Sequence, residues 1–434
     1  MDRPPYPSSA NSRFTSSTID RSKPLSLFLL GTGGSAAVPD ISCITDPANA
    51  CACCKDTMPG GTGMLSSKNR RGNTSAILRI PQIGGGEATI LVDCGKTFRE
   101  QALRYFPEKG LRRIDACILT HHHADAIDGL DDLRAWTNKS VIERTIPIYC
   151  SSTTYSYISA SFPYMIDKKA SSGGGSVPNF EWHIMPEDQD WEICGVTITP
   201  LPVHHGVYFN KVPREPLIAL GFLFDSSLLY ISDVSYIPES IWTLLSRKLS
   251  LPSSTGTYSS SSRHLPHLLA LIIDVSGLRS SKSHFGLAQA IETTRRLGVE
   301  KTYFTDISHR HSHDAYVAFS EAFERGECSE EAKRNCLDRV REEEVPPLWR
   351  KGEHEEERGG GKREGSWEHV YEGIDLRQDD LKLWKERGLE VVEEWAGGVL
   401  EGSWTRPGRD GMTVSWTRGR RGGRDDRVWD DEYH

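Results

Sequence analysis

The chain has no apolar run long enough to cross a bilayer. Its longest, LSLFLLG at residues 25–31 and HLLALIIDV at 267–275, fall far short of the ~20 residues a spanning helix needs. Both read instead as buried strands. Nor is there an excess of positive charge: 52 Lys and Arg stand against 60 Asp and Glu, a net charge of −8. The bulk charge therefore gives no reason to expect nucleic acid as a partner. The opening MDRPPYPSSANSRFTSSTIDRSKP lacks the apolar core of a secretory signal. Residues 1–24 read as a disordered lead-in, with a Ser- and Arg-containing transit peptide as the alternative. Internal repeats are absent. The ten cysteines are unevenly placed, four of them at 43, 51, 53 and 54. A disulfide framework would be more evenly spread. The expectation is a reducing, cytoplasmic setting, with nucleus and organelles left open, and a cysteine cluster suited to a metal.

What remains is a chain of 434 residues, 37% hydrophobic and 26% charged, with a mean hydropathy of −0.47. That suffices for one sizeable core with much surface and loop. Strands are expected at 25–30, 74–80 and 88–95, the last two joined by a GGGE turn, and at 114–121. PIYC, VTITPLPVHHG, GFLFDSSLLYISD and LLALIIDVSG follow, each an apolar run ending in Cys, Gly or Asp. FREQALRYFP, the segment after Asp125 and LAQAIETTRRLG read as helices, the last stopped by its Gly. This is an α/β pattern: two sheets packed between helices, with polar side chains gathered at one rim.

The expected core spans 25–320, with a Ser-rich loop inserted at 251–266. Residues 321–370 read as a charged, Gly-rich insertion. Residues 371–420 read as a returning helix (LKLWKERGLEVVEEW) and a hairpin-like pair of short strands (SWTRPGRDGMTVSW), and 421–434 as a solvated tail.

The strongest chemical signal is THHHADA at 120–126, directly after an apolar strand. On a tight turn, alternate side chains converge, so His121, His123 and Asp125 can face one point. Neutral imidazoles and carboxylates are ligands for zinc, iron or manganese. The plain alternative is a set of unrelated polar groups at a strand end.

Together, LFLLGTGGSAAVP, NRRGNTSAILRI, ILVDCG, ILTHHHADAIDGLDDLR, LPVHHG, YISD, SHFGLAQAI and TDISH resemble the metallo-β-lactamase superfamily. The likeness is greatest to its cyclic-phosphate phosphodiesterase branch and weaker to tRNA 3′-end endonucleases. It covers about residues 25–313 and implies an αββα sandwich of two packed mixed sheets with a dinuclear metal site. Carried over, His121, His123 and His205 hold the first metal, expected to be zinc, His205 because the family ligand precedes Gly. Asp233 bridges both metals, Asp125 serves the second, and Asp93 orients a ligand histidine from behind, with strand-end capping as its alternative. His284 would be the general acid, or otherwise the cap of the following helix. A separate structural zinc would take Cys43, Cys51, Cys54 and His309, with Cys53 as substitute and free buried thiols as the alternative. His311 and His313 have no role in the resemblance and are expected at the surface.

Two departures stand out. The family signature ends in His where this chain has Ala126, and the family's T-H-x-S-H is here TDISH, with Asp306 in the ligand place. The second site would then hold Asp125, Asp233 and Asp306, all oxygen ligands, which favour manganese, magnesium or iron over zinc. The alternative is that the second ion is absent. The expected function is hydrolysis of a small or cyclic phosphodiester by water activated on the metal. Hydrolysis of a lactone, thioester or other carboxylic ester is an alternative. A non-catalytic metal- or ligand-binding protein with a degraded second site is another. RNA processing would need the long flexible arm of the tRNA endonucleases, and none is evident. The expected partners are the small phosphodiester and a second copy of the chain, with neither membrane nor nucleic acid.

Overall fold

A computed structural model describes residues 18–61, 67–186, 189–249, 268–329, 381–396, 402–418 and 426–433. The lead-in before Thr18, the Ser-rich loop at 251–266 and the charged stretch at 330–370 lie outside the described residues. Two sheets face each other. The first runs, in spatial order, β15 (Arg427–Asp430), β14 (Thr413–Thr417), β1 (Leu25–Gly31), β2 (Ser75–Pro81), β3 (Glu87–Val92), β4 (Ala116–Ile118), β5 (Ile146–Cys150) and β6 (Phe180–Ile184). The second runs β13 (Thr405–Pro407), β12 (Lys301–Thr305), β11 (Ala270–Asp274), β10 (Leu228–Ile231), β9 (Pro216–Phe224), β8 (Val196–Val207) and β7 (Trp191–Ile193). Both sheets mix parallel and antiparallel pairs. With helices on the outer faces this is an αββα sandwich.

The unbroken apolar runs are explained by burial on both faces, as in sheets covered on each side. Successive side chains point opposite ways. In β1, Leu27 and Leu29 join the core between the sheets. Phe28 and Leu30 join the outer core beneath the helix Phe98–Glu108, beside Phe98, Ala102 and Tyr105. In the second sheet Tyr230 and Ile272 face inward. Leu229, Ile231, Leu271 and Ile273 face the helices Glu239–Leu249, Leu287–Leu297 and His313–Glu324. The helix Leu287–Leu297 ends at Gly298 with φ 59, a left-handed stop that glycine adopts without a Cβ penalty. No helix among the described residues is long and apolar enough to cross a membrane.

The C-terminal segment corrects three expectations. The helix His313–Glu324 runs through the boundary expected at residue 320. The hairpin does not form: β13 pairs parallel with β12 in one sheet, while β14 pairs antiparallel with β1 in the other. The chain passes between sheets at Asp410. Its buried carboxylate accepts from the Thr32 hydroxyl at 2.8 Å, the Gly72 N–H at 2.6 Å and the Gln101 amide. The expected solvated tail contains a strand, β15, registered on β14. There Asp430 accepts from the Tyr303 hydroxyl at 2.7 Å, with Lys301 Nζ 3.3 Å away. The helix Leu381–Ala396 buries Trp384, Leu389 and Val392 in the outer core. Its Gly388 allows the close approach, since a Cβ there would lie 2.7 Å from the Phe319 ring.

Asp410 thus ties the C-terminal strands to the glycine turn after β1. Asp410→Ala would leave three buried donors without their acceptor, each loss carrying a desolvation penalty of about 1–3 kcal/mol. The expected outcome is a lowered urea midpoint of unfolding; an unchanged midpoint would show that the crossover is held elsewhere.

Candidate metal centre

Several polar side chains of the rim lie at or just beyond the ends of core strands. After β4, the Thr120 N–H donates to Asp93 Oδ1 and its hydroxyl to Oδ2, both at 2.8 Å. The same hydroxyl oxygen lies 2.8 Å from His121 Nδ1. A hydroxyl that donates to the carboxylate can only accept from the ring, so His121 carries its proton on Nδ1 and leaves Nε2 with a lone pair. Asp93 therefore orients His121 through Thr120, a residue the sequence reading passed over. Asp93 sits at φ 59, a left-handed conformation that Asp tolerates better than most residues.

His205 arrives by another device. The β8–β9 register shifts between His204 and Val207, and Gly206 takes φ 74. Such bulges re-aim a side chain. Here His204 packs on Tyr236 at 5.3 Å between ring centroids, while His205 turns inward. Its Nδ1 is 2.8 Å from the Ser283 carbonyl, which fixes the proton there and frees Nε2. That Nε2 lies 3.1 Å from His123 Nδ1 and 3.8 Å from Asp233 Oδ1. His121, His123 and His205 each offer an atom within 4.8 Å of the others. Burial holds the His121 and His123 imidazoles below their usual range, so both are neutral donors. His121 Nε2 and Asp125 Oδ1 are buried with no hydrogen-bond partner. A buried polar atom without a partner is costly, and a cation between neutral imidazoles would satisfy it. The donor set fits a divalent metal.

The second half of the rim differs from expectation. Asp233 and Asp306 follow β10 and β12, Asp274 ends β11, and the three are 7%, 3% and 0% exposed in that order. No cluster of the described residues joins Asp125, Asp233 and Asp306; Asp306 instead groups with Asp274 and His284. His284 Nδ1 lies 2.9 Å from Asp274 Oδ2 and 2.8 Å from Asp306 Oδ2. Where relatives are expected to carry a ligand histidine, this chain uses the carboxylate to hold another histidine. Burial opposes a charge on His284, but Asp274 and Asp306 outweigh it and hold the ring well above its usual range. Asp274, raised to about 6 chiefly by burial, is a partner the sequence signalled only as a strand-end Asp. Asp233 is buried 3.8 Å from His205 Nε2 and forms a further group with His205 and His284, each offering an atom within 4.8 Å of the others. Asp125 is raised by burial and by the Asp233 charge. Ala126 is built into the outer core beside Cys94 and Ile127, and its carbonyl accepts the Cys94 N–H at 2.8 Å.

A second cluster lies one loop away. Cys43, Cys51, Cys54 and His309 each offer an atom within 4.8 Å of the others. Cys51 Sγ is 3.7 Å from His309 Nδ1 and accepts the Cys54 N–H at 3.3 Å. The hydrogen bond from Cys54, aided by His309, pulls Cys51 down to about 4 against burial. Three thiols and an imidazole are a structural-zinc set. Cys53 is not part of it; its sulfur faces the His311 carbonyl. His311 and His313 are buried rather than at the surface, each 1% exposed. His311 packs on Trp384, and His313 Nε2 meets the Tyr433 hydroxyl at 2.8 Å.

Residues 88–307 match a family model described as a beta-lactamase superfamily domain. Among curated proteins, an octanoyltransferase of Porphyromonas gingivalis (strain ATCC BAA-308 / W83) is 26% identical over 287 residues, 65% of this chain and 45% of that one. The chain thus spans less than half of that relative's length. Among solved structures, a diphosphatase of the PhnP family is 27% identical with a TM-score of 0.48, over 67% of this chain and 89% of that one. The Bacillus subtilis metallo-beta-lactamase fold protein YhfI is 16% identical with a TM-score of 0.40, over 67% and 89%. Human short-form tRNase Z is 15% identical with a TM-score of 0.39, over 65% and 92%.

Thr120→Val removes the link from Asp93 to His121. Loss of such a supporting contact weakens metal binding by ~10–100-fold. Competition with a chelator should show that loss at the histidines while the cysteine cluster keeps its ion; equal retention at both would remove Thr120 from the account.

Proposed function

The chain belongs to the beta-lactamase superfamily, and from that premise we propose that it is a metal-dependent hydrolase of small or cyclic phosphodiesters. The observation that carries the reading is the pairing of a metal-ready histidine cluster with an imidazole, His284, held at 2.9 and 2.8 Å by two buried carboxylates. The rings of His205 and His284 stand 4.9 Å apart, and His284 remains partly exposed on the open side. A phosphodiester brings one negative charge and needs a proton on its leaving oxygen.

The ion would be held by His121, His123, His205 and Asp233. When bound, a divalent ion acidifies its water toward ~7 and offsets charge on phosphoryl oxygens. The chain's own residues supply the rest. Nδ1 of His284 is committed to Asp274 and Asp306, so Nε2–H is the proton the leaving alkoxide takes. The two carboxylates hold the ring in place and keep it charged until that transfer. Asp125, with Oδ1 unpartnered, accepts a hydrogen bond from the attacking water. With Asp306 engaged by His284, a second ion would have only Asp125 and Asp233 as protein ligands. Two carboxylates suit a hard, weakly held ion such as manganese, so the histidine-bound ion carries the activity.

A carboxylic ester or thioester is the second reading. The name of the octanoyltransferase relative concerns acyl transfer, and the same centre could serve either bond. A parallel panel of bis(p-nitrophenyl) phosphate, an alkyl phosphodiester, a lactone and a p-nitrophenyl thioester separates the two.

With zinc or manganese supplied, phosphodiester cleavage should fall at least ~100-fold in His123→Ala and in Asp233→Ala. Unchanged activity would place the centre elsewhere. His284→Gln should slow alkyl phosphodiesters by ~10²–10⁴, the usual range for losing a general acid. It should slow p-nitrophenyl leaving groups far less, since these depart without a proton. Equal slowing of both would deny His284 the proton-transfer role.

A further inference from the structure

Arg71 is 1% exposed, and a guanidinium does not give up its proton inside a protein. Among the described residues it makes no ion pair, and its Nε and Nη2 are buried with no hydrogen-bond partner. Asp410 accepts the N–H of the next residue, Gly72, but its oxygens are taken by Thr32, Gly72 and Gln101. A buried charge is strongly unfavourable unless an opposite charge stands near it. The contacts Arg71 does make all lead to the cysteine cluster. Its Nη1 donates to the Ser308 and His311 carbonyls at 3.2 Å each, which bracket His309, and lies 3.9 Å from Cys53 Sγ. Its backbone pairs with Val38 in both directions, at 3.1 and 2.8 Å. Val38 packs with Cys51, Cys53 and Cys54 in one buried group.

The cluster is built to carry negative charge. Cys43 Sγ accepts the Cys51 N–H at 3.3 Å, Cys51 Sγ the Cys54 N–H at 3.3 Å and Cys54 Sγ the Asp40 N–H at 3.4 Å. Each of the three sulfurs thus has a backbone donor aimed at it, a contact that favours the thiolate. A divalent ion held by three thiolates and one neutral imidazole leaves one net negative charge. Cys51 and Cys54 are 2% and 0% exposed, so water does little to offset that charge. We infer that Arg71 is the countercharge of the ion-loaded cysteine cluster and sets how tightly the cluster holds a divalent cation. The sum of the two is then zero, and each removes the cost of burying the other. Arg71 acts through the thiolates and through the carbonyls on either side of His309, so it is a positioning residue. The assignment rests on the cysteine cluster alone and is independent of the phosphodiesterase reading.

The test loads the full-length protein with cobalt, whose thiolate-to-metal charge-transfer absorption reports the cysteines and not the histidines. That band is then titrated away with a chelator. Arg71→Gln, which keeps an amide donor but no charge, should weaken cobalt retention by ~10–100-fold, the range for losing a supporting contact. Arg71→Lys, which keeps the charge without the planar fork, should stay within about fivefold of the parent. Cys43→His supplies a neutral background, since two thiolates, two imidazoles and a divalent ion carry no net charge. There Arg71→Gln should change retention by less than about threefold, because an interaction energy vanishes once either partner is gone. Equal loss in both backgrounds, or a loss in Arg71→Lys as large as in Arg71→Gln, overturns the proposal. Should Arg71→Gln alone fail to fold, the double variant with Cys43→His decides. Recovery of folded protein supports the countercharge, since removing both charges leaves none unpaired; continued failure overturns it.

Discussion

A carboxylate taken out of water must be given a cation or a proton. Asp233, Asp274 and Asp306 all lie at the ends of core strands with 7% exposure or less, and the architecture of the rim follows from how each is compensated. Asp274 and Asp306 share one imidazolium, His284, at 2.9 and 2.8 Å. Asp233 faces three imidazoles, of which two, His121 and His205, have their protons fixed on the side away from it by Thr120 and Ser283. Those rings are thus committed as neutral lone-pair donors, and only an added cation completes the arrangement. The same requirement explains why Asp93, buried behind the cluster, is wrapped by the Thr120 N–H and hydroxyl.

The two candidate metal clusters are mechanically joined. Asp306 and His309 are three residues apart on one loop, so the cysteine cluster anchors the segment that presents Asp306 to His284. Arg71 strengthens the anchor by donating to the Ser308 and His311 carbonyls, both at 3.2 Å. The Ile307 N–H reaches back to the Thr32 carbonyl at 2.9 Å. The glycine turn packs against Asp306 so closely that a Cβ on Gly34 would stand 3.0 Å from its Oδ1. Asp410 then ties that turn to the C-terminal strands. The cysteine–histidine cluster, a glycine turn and a returning C-terminus thus converge on the placement of one carboxylate.

Much of this was legible from the sequence, and the reasons differ by element. Runs such as LSLFLLG announce strands because both faces are buried, a local property of composition. The spacing of His121 and His123 is visible because alternation after a strand is a local geometric rule. The choice of His205 over His204 followed the Gly beside it, and the bulge at Gly206 supplies its physical reason. What the sequence hid is non-local. A strand-end aspartate looks the same whether it will hold an ion or an imidazole, so the Asp274–His284–Asp306 group could not be told from a ligand set. His311 and His313 looked like surface residues because Trp384 and Tyr433, which cover them, come far later in the chain. The split of β13 and β14 between sheets depends on Asp410 finding Thr32 and Gly72, contacts no local pattern encodes.

The central claim is that this chain carries two chemically distinct metal positions, one of thiolates with His309 and one of His121, His123 and His205 with Asp233. Anomalous diffraction from crystals grown with zinc, recorded on both sides of the absorption edge, tests it directly. The account predicts one strong peak among Cys43, Cys51, Cys54 and His309, and a second within bonding distance of His121, His123 and His205. A peak at the cysteines with none among the three histidines would contradict it.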